Sequence, residues 1–336
     1  MNPVTATQCG ACHTPLLPDD RFCEVCGAQV PGAEDQAERP VDGACHGCGA
    51  QPAAIGADGY CTRCGALQRA PGDRAELDLV GAATVTDRGR VHRRNEDAFH
   101  LERNEHSGDV AAVICDGIST SHSGHLAART AAATAGRLLA RALGDDPALD
   151  PAQLTIDAVH AAQAAVLRVP ATTRVVEALP SCTLVSAISR EGEIVVGSIG
   201  DSRAYWLAPG DARLLTVDDS WATDQVAAGL LDAEAAAADP RAHAITRWLG
   251  PDIEDPTPQL YRFTPDPPGR LLLCSDGLWN YAPTPQNLLD LLAQLPPEAS
   301  PLIVARALVE VALARGGRDN ITVVVIDIAP SRRSSR

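Results

Sequence analysis

The chain has 336 residues, 45% of them hydrophobic, which is enough for one large domain with a buried core and something smaller beside it. A formal net charge of −15 argues against non-specific binding to nucleic acid or to anionic membranes, because both need surplus cations. All 28 basic residues are arginine, so chemistry that depends on a lysine (a Schiff base, a P-loop, a kinase site) is excluded. No apolar run approaches the ~18 residues of a membrane span, and the opening MNPVTATQCGAC lacks the basic and apolar parts of a signal peptide. A cytoplasmic protein without membrane association is expected.

Eight of the 11 cysteines fall before residue 65, in two matching patterns. Cys9, Cys12, Cys23 and Cys26 form the first C-x2-C pair of pairs, and Cys45, Cys48, Cys61 and Cys64 form the second. A C-x2-C pair wraps a tight turn around one cation, and two such knuckles complete a tetrahedral four-thiolate site suited to Zn2+. Glycine follows the second cysteine of three pairs, at Gly27, Gly49 and Gly65, as tight knuckles favour. The pattern looks like a tandem zinc ribbon with two structural zinc ions. The stretch CGACH also fits a haem attachment pattern, but that leaves the second knuckle of the ribbon unexplained. Acidic residues outnumber arginines in this region, which favours protein docking over nucleic-acid contact. The expected organisation is a ribbon at 1–30, a linker at 31–42, a second ribbon at 43–68, a linker at 69–76, the main domain at 77–329 and a tail at 330–336.

In the main domain, short apolar runs end in carboxylates. VAAVICDG delivers Asp116, EIVVGSIGDSRAYW delivers Asp201, and RLLLCSDGLW delivers Asp276. Asp319 stands just ahead of the run ITVVVIDI, and HRRNEDAF sets Glu96 and Asp97 side by side. Such runs read as buried strands, with helical stretches between them at 124–143, 151–169 and 301–317. Strands without a regular strand–helix alternation favour an α+β fold. One aspartate at a strand end is ordinarily a solvated turn residue. Several brought together by neighbouring strands repel one another, and cations relieve that repulsion. Oxygen ligands without paired histidines suit Mg2+ or Mn2+.

The series TDRGRVHRRNEDAF, CDGISTSHSGHLAA, GSIGDSRAYW, ITRWLG, LLLCSDGLWNY and GGRDNITVVV resembles, in order and spacing, the PPM family of metal-dependent serine/threonine phosphatases of type 2C. The resemblance covers about residues 80 to 328. It implies an αββα sandwich, two central β-sheets flanked by helices, and hydrolysis of phosphoserine and phosphothreonine in proteins by water activated at a binuclear Mn2+ or Mg2+ site. Asp116 would bridge the metals, the Gly117 carbonyl would bind one of them, and Asp276 and Asp319 would bind the other. Glu96 and Asp97 would act through coordinated water, and Asp201 with Asp276 would hold a third, weaker metal. The segment from about Ser220 to Arg247 matches the family's variable flap. Substrates would be products of serine/threonine kinases.

Two departures from the family pattern stand out. The arginine that grips the substrate phosphate, four residues before the glutamate, is replaced by His92, so the grip falls to His92 or to neighbouring Arg93 or Arg94. After Asp116-Gly117, where bacterial relatives often carry Gly-Gly one residue on, this chain has Ser119-Thr120, and the place of a histidine that serves some relatives as general acid is taken by Ile118, as in many bacterial members. Two other readings stay open from the sequence: a metal-binding pseudophosphatase scaffold and a zinc-ribbon adaptor.

Overall fold

The computed structural model of the protein describes residues 7–8, 15–16, 44–45, 48–56, 59–65, 68, 72–118, 121, 123–144, 149–170 and 179–328. The chain divides into two compact units, Met1–Asp73 and Arg74–Arg336.

In the smaller unit, Thr7–Gln8 and Pro15–Leu16 form a short antiparallel pair. Cys9, Cys12, Cys23 and Cys26, which the sequence assigns to the first ribbon, lie outside the described residues. The second ribbon is described. Its two knuckles close in the same way: Gly49 N–H donates to the Cys45 carbonyl and Gly65 N–H to that of Cys61, at 2.7 and 2.8 Å. Both glycines adopt positive φ (69° and 74°), which an L side chain resists. Cys45, Ala50 and Cys61 are buried, with Ala54 and Ile55 against them. So small an apolar cluster cannot supply much stability by itself.

The larger unit is built on two antiparallel sheets. We number its elements β1 Arg74–Leu79, β2 Ala82–Asp87, β3 Ala98–Arg103, β4 Val110–Cys115, α1 Gly124–Leu139, α2 Pro151–Val166, β5 Leu184–Arg190, β6 Glu193–Ile199, β7 Arg203–Ala208 and β8 Asp211–Leu214. There follow α3 Trp221–Ala227, α4 Ala233–Ala238, β9 Gln259–Phe263, β10 Gly269–Cys274, α5 Asp276–Trp279, α6 Pro285–Leu292, α7 Pro301–Ala314 and β11 Ile321–Ile328. One sheet has the order β8-β7-β10-β11-β2-β1 and the other β9-β6-β5-β4-β3.

Burial explains the layering. The inner strands β2, β4 and β11 are apolar or Thr almost throughout, with no polar alternation, because each has both faces covered. Leu101, Ile114, Val196, Trp206, Leu273 and Val324 belong to the core between the sheets. The alanine-rich face of α1 and that of α2 pack with Val113, Leu184 and Ile199 on the outer side of the five-stranded sheet. Leu278, Leu288, Leu308 and Val309 of α5, α6 and α7 cover the other sheet with Val85, Leu272 and Val325. The result is the expected αββα sandwich.

Three expected boundaries shift. The first strand begins at Arg74, inside the stretch read as a linker to 76, because Arg74 is anchored: its guanidinium reaches Asp87 at 3.2 Å and Glu310 at 2.8 Å. Helix α7 stops at Ala314 rather than 317, since Gly316 and Gly317 take positive φ (137° and 52°) and break the helical path. Helix α2 likewise ends at Val166 and not 169.

Candidate active site

The carboxylates singled out from the sequence gather where the two sheets present strand ends. Register brings this about. Ala98 opens β3 opposite Cys115 at the end of β4, so Asp97 and Asp116 extend past adjacent strands. Cys274 closes β10 beside β11, which places Asp276 next to the entry carrying Asp319. Asp201 sits in the tight connection between β6 and β7, after Gly200 at φ 99°.

Electrostatics set these groups apart from ordinary turn aspartates. Burial, reinforced by Asp97, Asp276, Asp319 and Asp201, pushes the Asp116 carboxyl well above its usual range. Burial does the same to Asp276, with Asp319 and Asp201 adding repulsion. Asp201 is raised to about 7, by burial and then by Asp218. Asp97 is raised to about 6 by burial, although hydroxyl donors hold it back. A cluster of anions desolvated to this extent is unstable unless it takes up protons or cations.

Two buried oxygens identify where cations would be needed. Asp97 Oδ1 and Asp276 Oδ1 are shielded from solvent and have no hydrogen-bond partner among the described residues. Leaving such an atom unsatisfied costs about 1–3 kcal/mol, more for a charged group. The donor set is hard oxygen, which fits Mg2+ or Mn2+. Gly117 is held backbone on backbone: an added Cβ would lie 2.6 Å from the Gly124 carbonyl carbon at the start of α1. Only glycine lets the loop after Asp116 lie this close to the helix. Among the described residues, the sole set of three or more such ligands whose atoms all fall within 4.8 Å of one another is Cys45, Cys48, Cys61 and Cys64.

Sequence reasoning missed the polar frame behind the carboxylates. Asp97 Oδ2 accepts from Ser275 Oγ and Thr322 Oγ1, both at 2.7 Å. Since Thr322 spends its proton there, Thr86 donates to Thr322 and Asn95 Nδ2 donates to Thr86, giving a four-residue relay across three segments. Asn320 ties the loops together: its amide donates to the carbonyls of Arg88 and Arg94, and its Oδ1 accepts from Glu96 N–H. The available signal was adjacency, for Ser275 precedes Asp276 and Thr322 follows the Asp319-Asn320 pair by two residues.

The remaining candidates separate. Glu96 is largely buried, with Arg94 Nε 3.9 Å from its carboxylate. His92 Nε2 lies 3.2 Å from Asp319 Oδ1 and so faces a carboxylate. Arg93 is exposed. Cys115 and Cys274 are fully buried, and burial pushes both thiols up, which makes them inert strand fillers. The segment 220–247 carries α3 and α4 and is closed at its base by a bridge between Ser220 and Ile245.

Residues 87–311, more than half of the chain, match the family model of protein phosphatase 2C. The chain belongs to the protein phosphatase 2C family. It is 31% identical over 247 residues to the serine/threonine protein phosphatase PstP of Mycobacterium tuberculosis, a match covering 73% of this chain but only 44% of the mycobacterial protein. The serine/threonine phosphatase stp of Listeria welshimeri is 31% identical over 72% of this chain and 93% of its own length. Among solved structures, the catalytic domain of PstP in complex with two manganese ions superposes with a TM-score of 0.53 at 29% identity, covering 74% of this chain and 97% of that one. The family match begins at Asp87, so the cysteine-rich unit lies outside it.

Proposed function

We propose that this protein phosphatase 2C member hydrolyses phosphoserine and phosphothreonine in proteins in a Mn2+- or Mg2+-dependent reaction. The observation that carries the reading is the set of buried strand-end carboxylates whose orphaned oxygens call for cations, in a chain of this family. Asp116, the Gly117 carbonyl, Asp276 and Asp319 would hold two ions, and Asp201 would lend a weaker third position. Ions held there would supply charge to neutralise the phosphate and would lower the pKa of the attacking water.

The chain's own groups then set the stage. Ser275 and Thr322 fix Asp97 at the strand end beside Asp116. Glu96, whose N–H is tied to Asn320, orients water at the mouth. His92, Arg93 or Arg94 would contact the phosphate. The position of His92 against Asp319 favours a role in holding that carboxylate, which leaves the phosphate to an arginine of the same loop. The substrates, products of serine/threonine kinases, are bound beside the flap.

The cysteine unit supports a separate, structural site. Cys45 Sγ lies 3.6 Å from Cys64 Sγ and Cys48 Sγ 3.8 Å from Cys61 Sγ. Tetrahedral bonds of about 2.3 Å to zinc require sulfur separations of ~3.8 Å. Gln68 Nε2 donates to Cys45 Sγ at 3.4 Å, as a partner of thiolate would. By parity of spacing, Cys9, Cys12, Cys23 and Cys26 would bind a second zinc ion, and the ribbons would serve as a protein-docking module.

The test is hydrolysis of a phosphothreonine peptide by the purified protein with and without Mn2+, alongside its metal content. Phosphate release that requires Mn2+ is expected. Tight binding of Mn2+ without any release would instead support a pseudophosphatase scaffold.

A further inference from the structure

Two loops flank Asp319, one spanning 88–94 and the other 315–319, and they are locked together. Arg90 N–H donates to the Gly317 carbonyl at 2.7 Å, and Arg90 Nε donates to the Leu313 carbonyl at 2.9 Å. A Cβ on Gly89 would collide with the Asp319 carbonyl oxygen, so the loops meet backbone to backbone. Tyr281 braces the second loop from below: its hydroxyl accepts from Arg318 N–H at 3.1 Å and its carbonyl accepts from Arg315 at 2.6 Å.

This double loop holds Arg90, Arg315 and Arg318, all exposed. None of the three pairs with a carboxylate among the described residues. Some exposed arginines of this acidic chain take a carboxylate, as Arg262 takes Glu193 and Asp150 and Arg306 takes Glu76, while others such as Arg129, Arg137 and Arg168 take none among the described residues; what sets these three apart is their place on one braced double loop beside Asp319. Three cations on one braced rim next to the site, in a chain of net charge −15, offer charge complementarity to an anionic ligand.

We propose that Arg90, Arg315 and Arg318 form a docking rim for phosphopeptides whose residues flanking the phosphorylated position are anionic. The proposal rests on the phosphatase reading of the site and adds the substrate class. Arg318 is adjacent in sequence to Asp319, and an extended peptide advances about 3.3–3.6 Å per residue. Side chains some two or three positions from the phosphoresidue therefore pass over the rim. Exposed pairs contribute modestly, about two- to fivefold each, and fade with salt. The rim sets preference among substrates; it does not make the site work.

The experiment uses the full chain with Mn2+ and three phosphothreonine peptides that differ only in two flanking positions on each side, filled with Glu, Gln or Arg. p-Nitrophenyl phosphate serves as the substrate that has no flanks. The Glu peptide should exceed the Gln peptide by about five- to tenfold in kcat/KM, mostly through KM, with the Arg peptide last and the spread narrowing at high salt. Arg318→Glu, whose native side chain has no partner among the described residues, should erase or invert that order while leaving p-nitrophenyl phosphate turnover unchanged. Equal rates on all three peptides would overturn the proposal, as would an intact preference in the combined Arg315→Gln, Arg318→Glu variant. Hydrolysis of the small ester without any flank preference removes the rim alone. No turnover of any substrate with Mn2+ present overturns the phosphatase reading, and the rim with it.

Discussion

The cysteine quartet and the carboxylate cluster solve the same problem, gathering like charges, in opposite ways. In the ribbon, four sulfurs lie within 4.8 Å of one another, held by two glycine-closed turns and, among the described residues, a small apolar cluster around Cys45, Ala50 and Cys61. In the larger unit, the carboxylates hang from the ends of two interlocked sheets whose cores are complete without them. A soft, closed set of four leaves its ion no open position and makes metal binding part of folding. A hard, spread set on a preformed scaffold leaves positions for water and substrate, and its repulsion is tolerated because the sheets absorb the strain. The ribbon should need its metal to exist, and the sandwich should need its metal only to act.

Substitutions break that comparison most sharply. Asp276→Asn removes one of the most repulsive carboxylates, so turnover should fall by more than about a hundredfold at saturating Mn2+. The metal-free Tm should be no lower than wild type, because a desolvated acid has been replaced by a neutral amide. Near wild-type turnover would sink the assignment. Cys61→Ser should behave in the reverse way: loss of about one equivalent of zinc and of protease resistance before residue 73, with hydrolysis of a small phosphate ester within about twofold of wild type. Lost ester turnover in a folded sandwich would mean that the ribbon helps build the active site.

A smaller effect separates the two sites by pH. Asp97 and Asp201, at about 6 and about 7, keep protons that the unfolded chain has released. The native state thus binds more protons than the unfolded state between about pH 4 and 7, and stability of the metal-free larger unit should fall as pH rises through that window. Mn2+ binds the ionised carboxylates, so its stabilisation should grow over the same range. At a hundredfold excess over Kd it should reach ~2.7 kcal/mol, or about 5–10 °C in Tm. Thermal scans at pH 5 and pH 7.5 check the sign. Smallest is Thr322→Val, which cuts the relay from Asn95 to Asp97 and should cost about 1–3 kcal/mol in stability with a few-fold loss in kcat.

How much of this was legible depended on periodicity and on charge. Strands such as ITVVVIDI and VAAVIC announced themselves because a strand covered on both faces must be apolar throughout, and their terminal aspartates were conspicuous for the same reason. The polar frame was not legible, since Ser275, Thr86 and Thr322 look like ordinary strand residues until register sets them against Asp97. Nor could spacing tell that His92 turns toward Asp319, because a loop fixes side-chain direction only through its tertiary contacts. The unpaired arginines were equally hidden: 28 arginines in a sequence do not reveal which lack a carboxylate.

The central claim is that the strand-end carboxylates make a site for two ions that turnover requires. The most direct measurement is a Mn2+ titration of chelator-treated residues 74–336, following bound ions by calorimetry and phosphopeptide hydrolysis in the same samples. Two ions bound with submillimolar affinity, activity appearing as the second is taken up, and both effects lost in Asp276→Asn are the predicted result. Full turnover in the metal-free protein, or two ions bound equally well by Asp276→Asn, would contradict it.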